Sequence, residues 1–140
     1  MAIEAYSLAR DGEKQLSANF KVREFYCRDG SDPIFVDSEL VQCLQKIRNH
    51  FGKPVHITSG YRTAAHNAAV GGSKSSQHLL GRAADFYVEG VDVATVAAYA
   101  ETLLPGRGGI GRYPKDAKHP TRKTGWVHVD TRANKSRWSM

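Results

Sequence analysis

Two stretches of this 140-residue chain collect side chains able to hold a metal ion: Ser76-Gln77-His78-Leu79-Leu80-Gly81-Arg82-Ala83-Ala84-Asp85, and Trp126-Val127-His128-Val129-Asp130. His78, Asp85 and His128 offer two imidazoles and one carboxylate, a mixed set that suits a hydrolytic Zn2+ with one coordination position open. Such a site keeps a net charge of about +1 and stays a strong Lewis acid, unlike thiolate-rich structural sites. Water in the fourth position would have its pKa lowered to roughly 7, beside a polarised amide carbonyl. Asp85 carries the most weight, because a carboxylate among Ala83, Ala84, Phe86 and Val88 is costly to bury unless it meets a cation, a metal or several donors. His128 repeats the pattern more weakly, with Val127 and Val129 directed to the opposite face of its strand. A lone loop histidine is more often a surface or hydrogen-bonded residue, so His78 counts mainly in the company of the other two.

The elements that must position these groups follow from periodicity and punctuation. Asp37 or Ser38 caps a helix over 38–51 with Leu40, Val41, Leu44, Ile47 and Phe51 at helical spacing, and Gly52 and Pro54 stop it. A strand over 55–58 turns through Ser59-Gly60-Tyr61-Arg62 into a short helix over 63–70, ended by Gly71-Gly72. Residues 73–81 read as the loop holding His78, and 83–88 as the strand holding Asp85. Asp92 caps a helix through Val93, Val96, Ala97, Ala100 and Leu103 that Pro105-Gly106 ends. Strands over 109–113 and 126–131 flank a basic loop over 114–125. Phe20 to Phe25 reads as a short strand or an irregular packed segment, and residues 1–19 as an N-terminal arm to a single domain over 20–140. The expected architecture is α+β, with helices packed on a small, mostly antiparallel sheet.

A chain of this length buries a core without disulfides. Cys27 and Cys43 form no Cys-x-x-Cys pattern; a buried thiol is the plain reading of Cys43, and a bond between the two stays open. No apolar run has signal-peptide or bilayer length, which implies a soluble chain with no signal peptide. The formal charge of +6 attracts polyanions, whether nucleic acid, anionic lipid or wall polymers. No RNA-binding aromatic signature or helix-turn-helix spacing accompanies it, which disfavours nucleic acid.

At Ser76-x-His78-x-x-Gly81-x-Ala83-x-Asp85 the chain resembles the M15 peptidases, the D-alanyl-D-alanine carboxypeptidase family. Ser59-Gly60-Tyr61-Arg62 and the closing His128-Val129-Asp130-Thr131-Arg132 extend the likeness over roughly residues 20–138. The resemblance implies a hedgehog-like fold and Zn2+ held by His78, Asp85 and His128. It also implies action on stem or cross-link peptides of bacterial peptidoglycan, as a carboxypeptidase or an endopeptidase. A phage endolysin, released from the cell or carried on a particle, fits the absent leader. Arg62 matches the family's substrate arginine, and a planar guanidinium can hold a carboxylate or steady an oxyanion; a salt bridge near the first helix is its competing role.

Ser76 and Gln77 are expected to orient His78 or the substrate, and Trp126, on the side of His128, to line the groove or the core. One position departs from the family: an acidic general base three residues before the last histidine is replaced by Gly125. Asp130, two residues from His128 on one strand face, is the first candidate for that role, with orientation of a ligand or pairing with Arg132 as the competing one. Asp116, His119 and Glu89 are weaker candidates. His56 and His66 read as structural or second-shell, His50 as offsetting a helix dipole, and Arg137 with Trp138 as pinning the tail. A zinc-stabilised binding module of the same fold is the alternative to an enzyme.

Overall fold

The computed structural model describes residues 2–115 and 125–140. Its largest sheet has five strands: β5 (Val55–Ser59), β6 (Ala83–Val88), β7 (Gly109–Tyr113), β8 (Trp126–Asp130) and β9 (Ser136–Ser139), in the order β5-β6-β8-β7-β9. All neighbours run antiparallel except β7 and β9. Helices α2 (Ser38–Phe51) and α4 (Val93–Leu103) pack on one face, so the expected α+β architecture is the observed one.

Alternation along the central strands assigns the two faces. Ala84, Phe86 and Val88 of β6 and Val127 and Val129 of β8 enter the core. They meet Leu40, Leu44 and Ile47 of α2 and Val96, Ala97 and Ala100 of α4, the inner stripes of two helices with the expected spacing. Asp37 caps α2, its Oδ1 accepting from the Glu39 N–H at 3.2 Å, and Asp92 caps α4, accepting from Thr95 N–H at 2.7 Å. The residues left over on the other face of β6 and β8 include Asp85, His128 and Asp130.

Several elements lie outside what local pattern revealed. Residues of the expected arm form β1 (Ile3–Ser7), α1 (Leu8–Asp11) and β2 (Gln15–Ser17). β1 pairs with β4 (Pro33–Asp37), and β2 with the two-residue β3 (Phe20–Lys21), after which Val22–Phe25 is a 3-10 turn. The tail adds β9 to the sheet edge rather than trailing from it. His78 sits not in an open loop but in a 3-10 turn, Gln77–Leu80. The short helix α3 (Ala64–Ala69) starts from Thr63, whose Oγ1 accepts from the His66 N–H at 3.2 Å. Cys27 and Cys43 are both buried free thiols, so no bond joins them.

Candidate metal centre

Sheet register builds the site. Asp85 lies directly opposite His128, His128 opposite Gly111, and Gly111 opposite Trp138, one row across four strands. The adjacent row holds Ala83, Asp130, Gly109 and Ser136. The glycines are gaps that larger neighbours fill. A Cβ on Gly111 would lie 2.4 Å from the Trp138 ring, and one on Gly109 2.2 Å from Asp130 Oδ2. Gly109→Ala is therefore expected to cost about 1–3 kcal/mol by forcing the buried carboxylate aside. An unchanged urea midpoint in that variant would contradict the close approach.

His78 reaches the row from its turn, which Ser76 fixes by accepting the His78 N–H at 3.2 Å. His78 Nδ1 lies 2.7 Å from the Gly60 carbonyl, which can only accept, so Nδ1 carries the proton. Nε2 then presents its lone pair to Asp85 Oδ1 at 3.2 Å. His128 is held the other way round. Its Nε2 donates to Asp130 Oδ2 at 2.7 Å, which leaves Nδ1 facing the same Asp85 oxygen at 2.9 Å. Two imidazole lone pairs and a carboxylate oxygen thus converge, with all three ligand atoms within 4.8 Å of one another. Electron pairs so arranged repel unless a cation or a proton lies between them, so the donor set fits a zinc-class ion.

The ionisation of these groups follows the same geometry. Burial would push the Asp85 carboxyl up, but hydrogen bonds and charges from His128 and His78 outweigh it and hold it well below the usual carboxylate range. Burial likewise opposes a charge on His128, and Asp130 and Asp85 together raise its pKa above the ordinary imidazole value.

Arg62 stands beside the three donors, bonded by Nε to Ser59 Oγ at 3.1 Å and by Nη1 to Asn67 Oδ1 at 3.2 Å. Its Nη2 lies 3.5 Å from Asp85 Oδ2, an ion pair inside the site. A cleft of about 280 Å³ opens over the donors, walled by Arg62, Gly72, Gln77, Tyr113, Arg132 and Trp138. Gln77 Oε1 is buried and has no hydrogen-bond partner among the described residues. Ser76 lines the cleft too, though its hydroxyl is engaged by the turn.

Asp130, the candidate general base, stands behind His128. It is wholly buried, on the far side of the His128 ring from Asp85. Oδ1 accepts from the backbone N–H groups of Gly109 and Arg132 and from Arg132 Nε, and Oδ2 from Arg132 Nη2 at 2.6 Å. With the bond to His128, these contacts engage both carboxylate oxygens. Glu89 pairs with His56 at 2.8 Å and lines a separate cavity, so neither belongs to this site. Asp116 and His119 lie outside the described residues, as does most of the basic loop. His50 stacks on Tyr99, ring centroids 3.8 Å apart, a packing contact at the end of α2.

The tryptophan on the cleft wall is Trp138 rather than Trp126. Trp126 stacks on Tyr113 at 4.8 Å, while Trp138 lies 5.0 Å from the His128 ring and donates Nε1–H to Tyr113 Oη at 2.8 Å. The Arg132 guanidinium lies over the Trp138 ring at 5.5 Å. Arg137 does pin the tail, bonding Glu101 Oε2 and the Gly108 carbonyl, each at 2.6 Å. The sequence assigns Trp138 only to pinning the tail, because the parallel β7–β9 pairing that carries it to the site has no local signal.

An α+β domain in which two central strands and an adjoining turn direct a His–Asp–His set into one cleft has the layout of a metal-dependent hydrolase. The Peptidase M15 family model matches residues 17–130, and the chain belongs to that family of peptidases. It is 33% identical over 104 residues to the probable peptidoglycan L,D-endopeptidase MepK of Haemophilus influenzae, a match covering 69% of this chain and 50% of that protein. It is 31% identical over 103 residues to the peptidoglycan L,D-endopeptidase MepK of Escherichia coli K12, covering 69% of this chain and 51% of that protein. The chain thus spans about half the length of these curated relatives. Among the described residues, no helix is long and apolar enough to cross a membrane.

Proposed function

We propose that this protein is a zinc-dependent peptidase that cleaves peptide bonds of bacterial peptidoglycan, acting as an endopeptidase on stem or cross-link peptides. The observation that carries the reading is the convergence of His78 Nε2, His128 Nδ1 and Asp85 on one point at the floor of the cleft. The relatives named as peptidoglycan L,D-endopeptidases support the substrate and favour internal cleavage over trimming. Such a substrate puts the site of action at the cell wall, and the positive charge of the chain suits anionic wall polymers.

His78, Asp85 and His128 would hold the ion, which when bound supplies Lewis acidity at the scissile carbonyl and activates water at neutral pH. The protein's own groups do the rest. Gly60 and Asp130 fix the two imidazoles in the tautomers that turn their lone pairs inward. Arg62, braced by Ser59 and Asn67, keeps a guanidinium edge beside Asp85, where it can bind the substrate carbonyl and steady negative charge. Gln77 Oε1 accepts from a substrate N–H, the partner it lacks within the protein. Trp138 and Tyr113 form an apolar wall against the peptide backbone.

Digestion of purified peptidoglycan, followed by mass spectrometry of the muropeptides, tests this reading. The expected result is loss of cross-linked species, abolished by a chelator and restored by Zn2+. Bound zinc with no turnover would instead establish a zinc-stabilised binding module. Release of single terminal residues would replace endopeptidase with carboxypeptidase.

A further inference from the structure

A second group of metal-ligating side chains meets away from the cleft. Cys27, Asp29 and His66 each offer one ligand atom, and these atoms all lie within 4.8 Å of one another. None of the three takes part in the His78–Asp85–His128 set. Cys27 and Asp29 follow the Val22–Phe25 turn, and His66 comes from α3, so two distant segments of chain meet here.

Thr63 aligns two of the three. Its backbone N–H donates to Cys27 Sγ at 3.5 Å, and its hydroxyl donates to Asp29 Oδ2 at 2.8 Å. Asp29 Oδ1 accepts from the Ser31 N–H at 2.9 Å, which closes a tight turn and fixes the carboxylate. The His66 ring has no hydrogen-bond partner among the described residues. Cys27 is wholly buried, which denies its sulfur to a substrate and rules against a Cys–His–Asp nucleophile. Burial does not deny it to an ion, because Asp29 is exposed and His66 half-buried, and they open the group to solvent on their side.

We propose that Cys27, Asp29 and His66 form a second zinc site, its fourth position left to solvent. A thiolate with an imidazole and a carboxylate is a borderline-soft set that selects Zn2+ over Mg2+ or Ca2+, whose ligands are oxygens. The three ligand atoms already lie within 4.8 Å of one another, near the spacing that bonds of about 2.0–2.3 Å to one ion impose. The ion would clamp the start of α3 to the 27–29 segment. That clamp bears on the cleft, because Thr63 follows Arg62 in sequence, and Asn67, next to His66, accepts from Arg62 Nη1.

Cobalt substitution of the full chain tests the site, since a thiolate–Co2+ bond gives a near-ultraviolet charge-transfer band that the His–Asp–His set cannot give. The wild type is expected to hold about two ions per chain after dialysis and to show the band. His128→Ala keeps the band and one ion. His66→Ala loses the second ion, with the band lost or sharply weakened, while the half-buried position lets the variant fold. Cys27→Ser removes the band altogether where it folds. A wild type without the band, or ion content unchanged by His66→Ala, overturns the proposal. Neither result touches the catalytic reading, which rests on other residues.

Discussion

His128→Ala, His78→Ala and Asp85→Asn are each expected to abolish peptidoglycan hydrolysis, with kcat/KM falling by at least ~10³-fold. The figure follows from the several kcal/mol of transition-state stabilisation that an ion at a scissile carbonyl provides. The three replacements fail for different reasons. His78→Ala removes one lone pair and leaves the Gly60 carbonyl without its donor. His128→Ala removes the other lone pair and leaves Asp85 without one of its two imidazole neighbours. Asp85→Asn keeps the volume and the Arg62 neighbour but exchanges the shared anionic oxygen for an amide, so it separates charge from packing. Metal content measured beside thermal unfolding distinguishes a lost ion from a lost fold. Turnover retained in any of the three, with the fold intact and zinc removed, would sink the site.

The parts of this site that could be read from the chain are those governed by short-range rules. Strand alternation put Asp85 opposite in sense to Ala84 and Phe86, and His128 opposite in sense to Val127 and Val129, and the structure keeps both on the non-core face. Helical spacing gave α2 and α4 with their caps, because an apolar stripe and a terminal carboxylate act within a few residues. What escaped depends on distance. β9 and Trp138 join the site through a parallel pairing with β7, and β1 joins β4 across some thirty residues, neither with a local turn signal. Cys27, Asp29 and His66 lack any recognisable ligand spacing for the same reason. Alternation also put Asp130 on the His128 side correctly, yet period alone does not say which ring nitrogen it meets. The side-chain rotamers decide that, and with it whether the carboxylate faces the cleft or stands behind the ligand.

Asp130→Asn is therefore the most discriminating single change, and zinc affinity is expected to fall about 10–100-fold while activity largely returns at saturating zinc. Burial would raise the Asp130 carboxyl, but His128 and Arg132 outweigh it and hold it well below the usual carboxylate range, so it accepts hydrogen bonds throughout the neutral range. Asparagine cannot satisfy both neighbours in that way. If its amide nitrogen faces His128, the imidazole must turn Nε2 into an acceptor, and the proton moves to Nδ1, the atom that faces Asp85. That tautomer blocks the ion. If the amide oxygen faces His128 instead, the nitrogen meets the N–H groups of Gly109 and Arg132, and the strand pairing is strained. A general base would behave differently: its loss lowers kcat at every zinc concentration, leaves zinc affinity unchanged and removes the acidic limb of the pH–rate profile. Zinc-dependent rescue with that limb retained assigns Asp130 to the orientation of His128. The proton acceptor must then be a group that reaches the open side of the donor set, where neither Asp130 nor Glu89 stands.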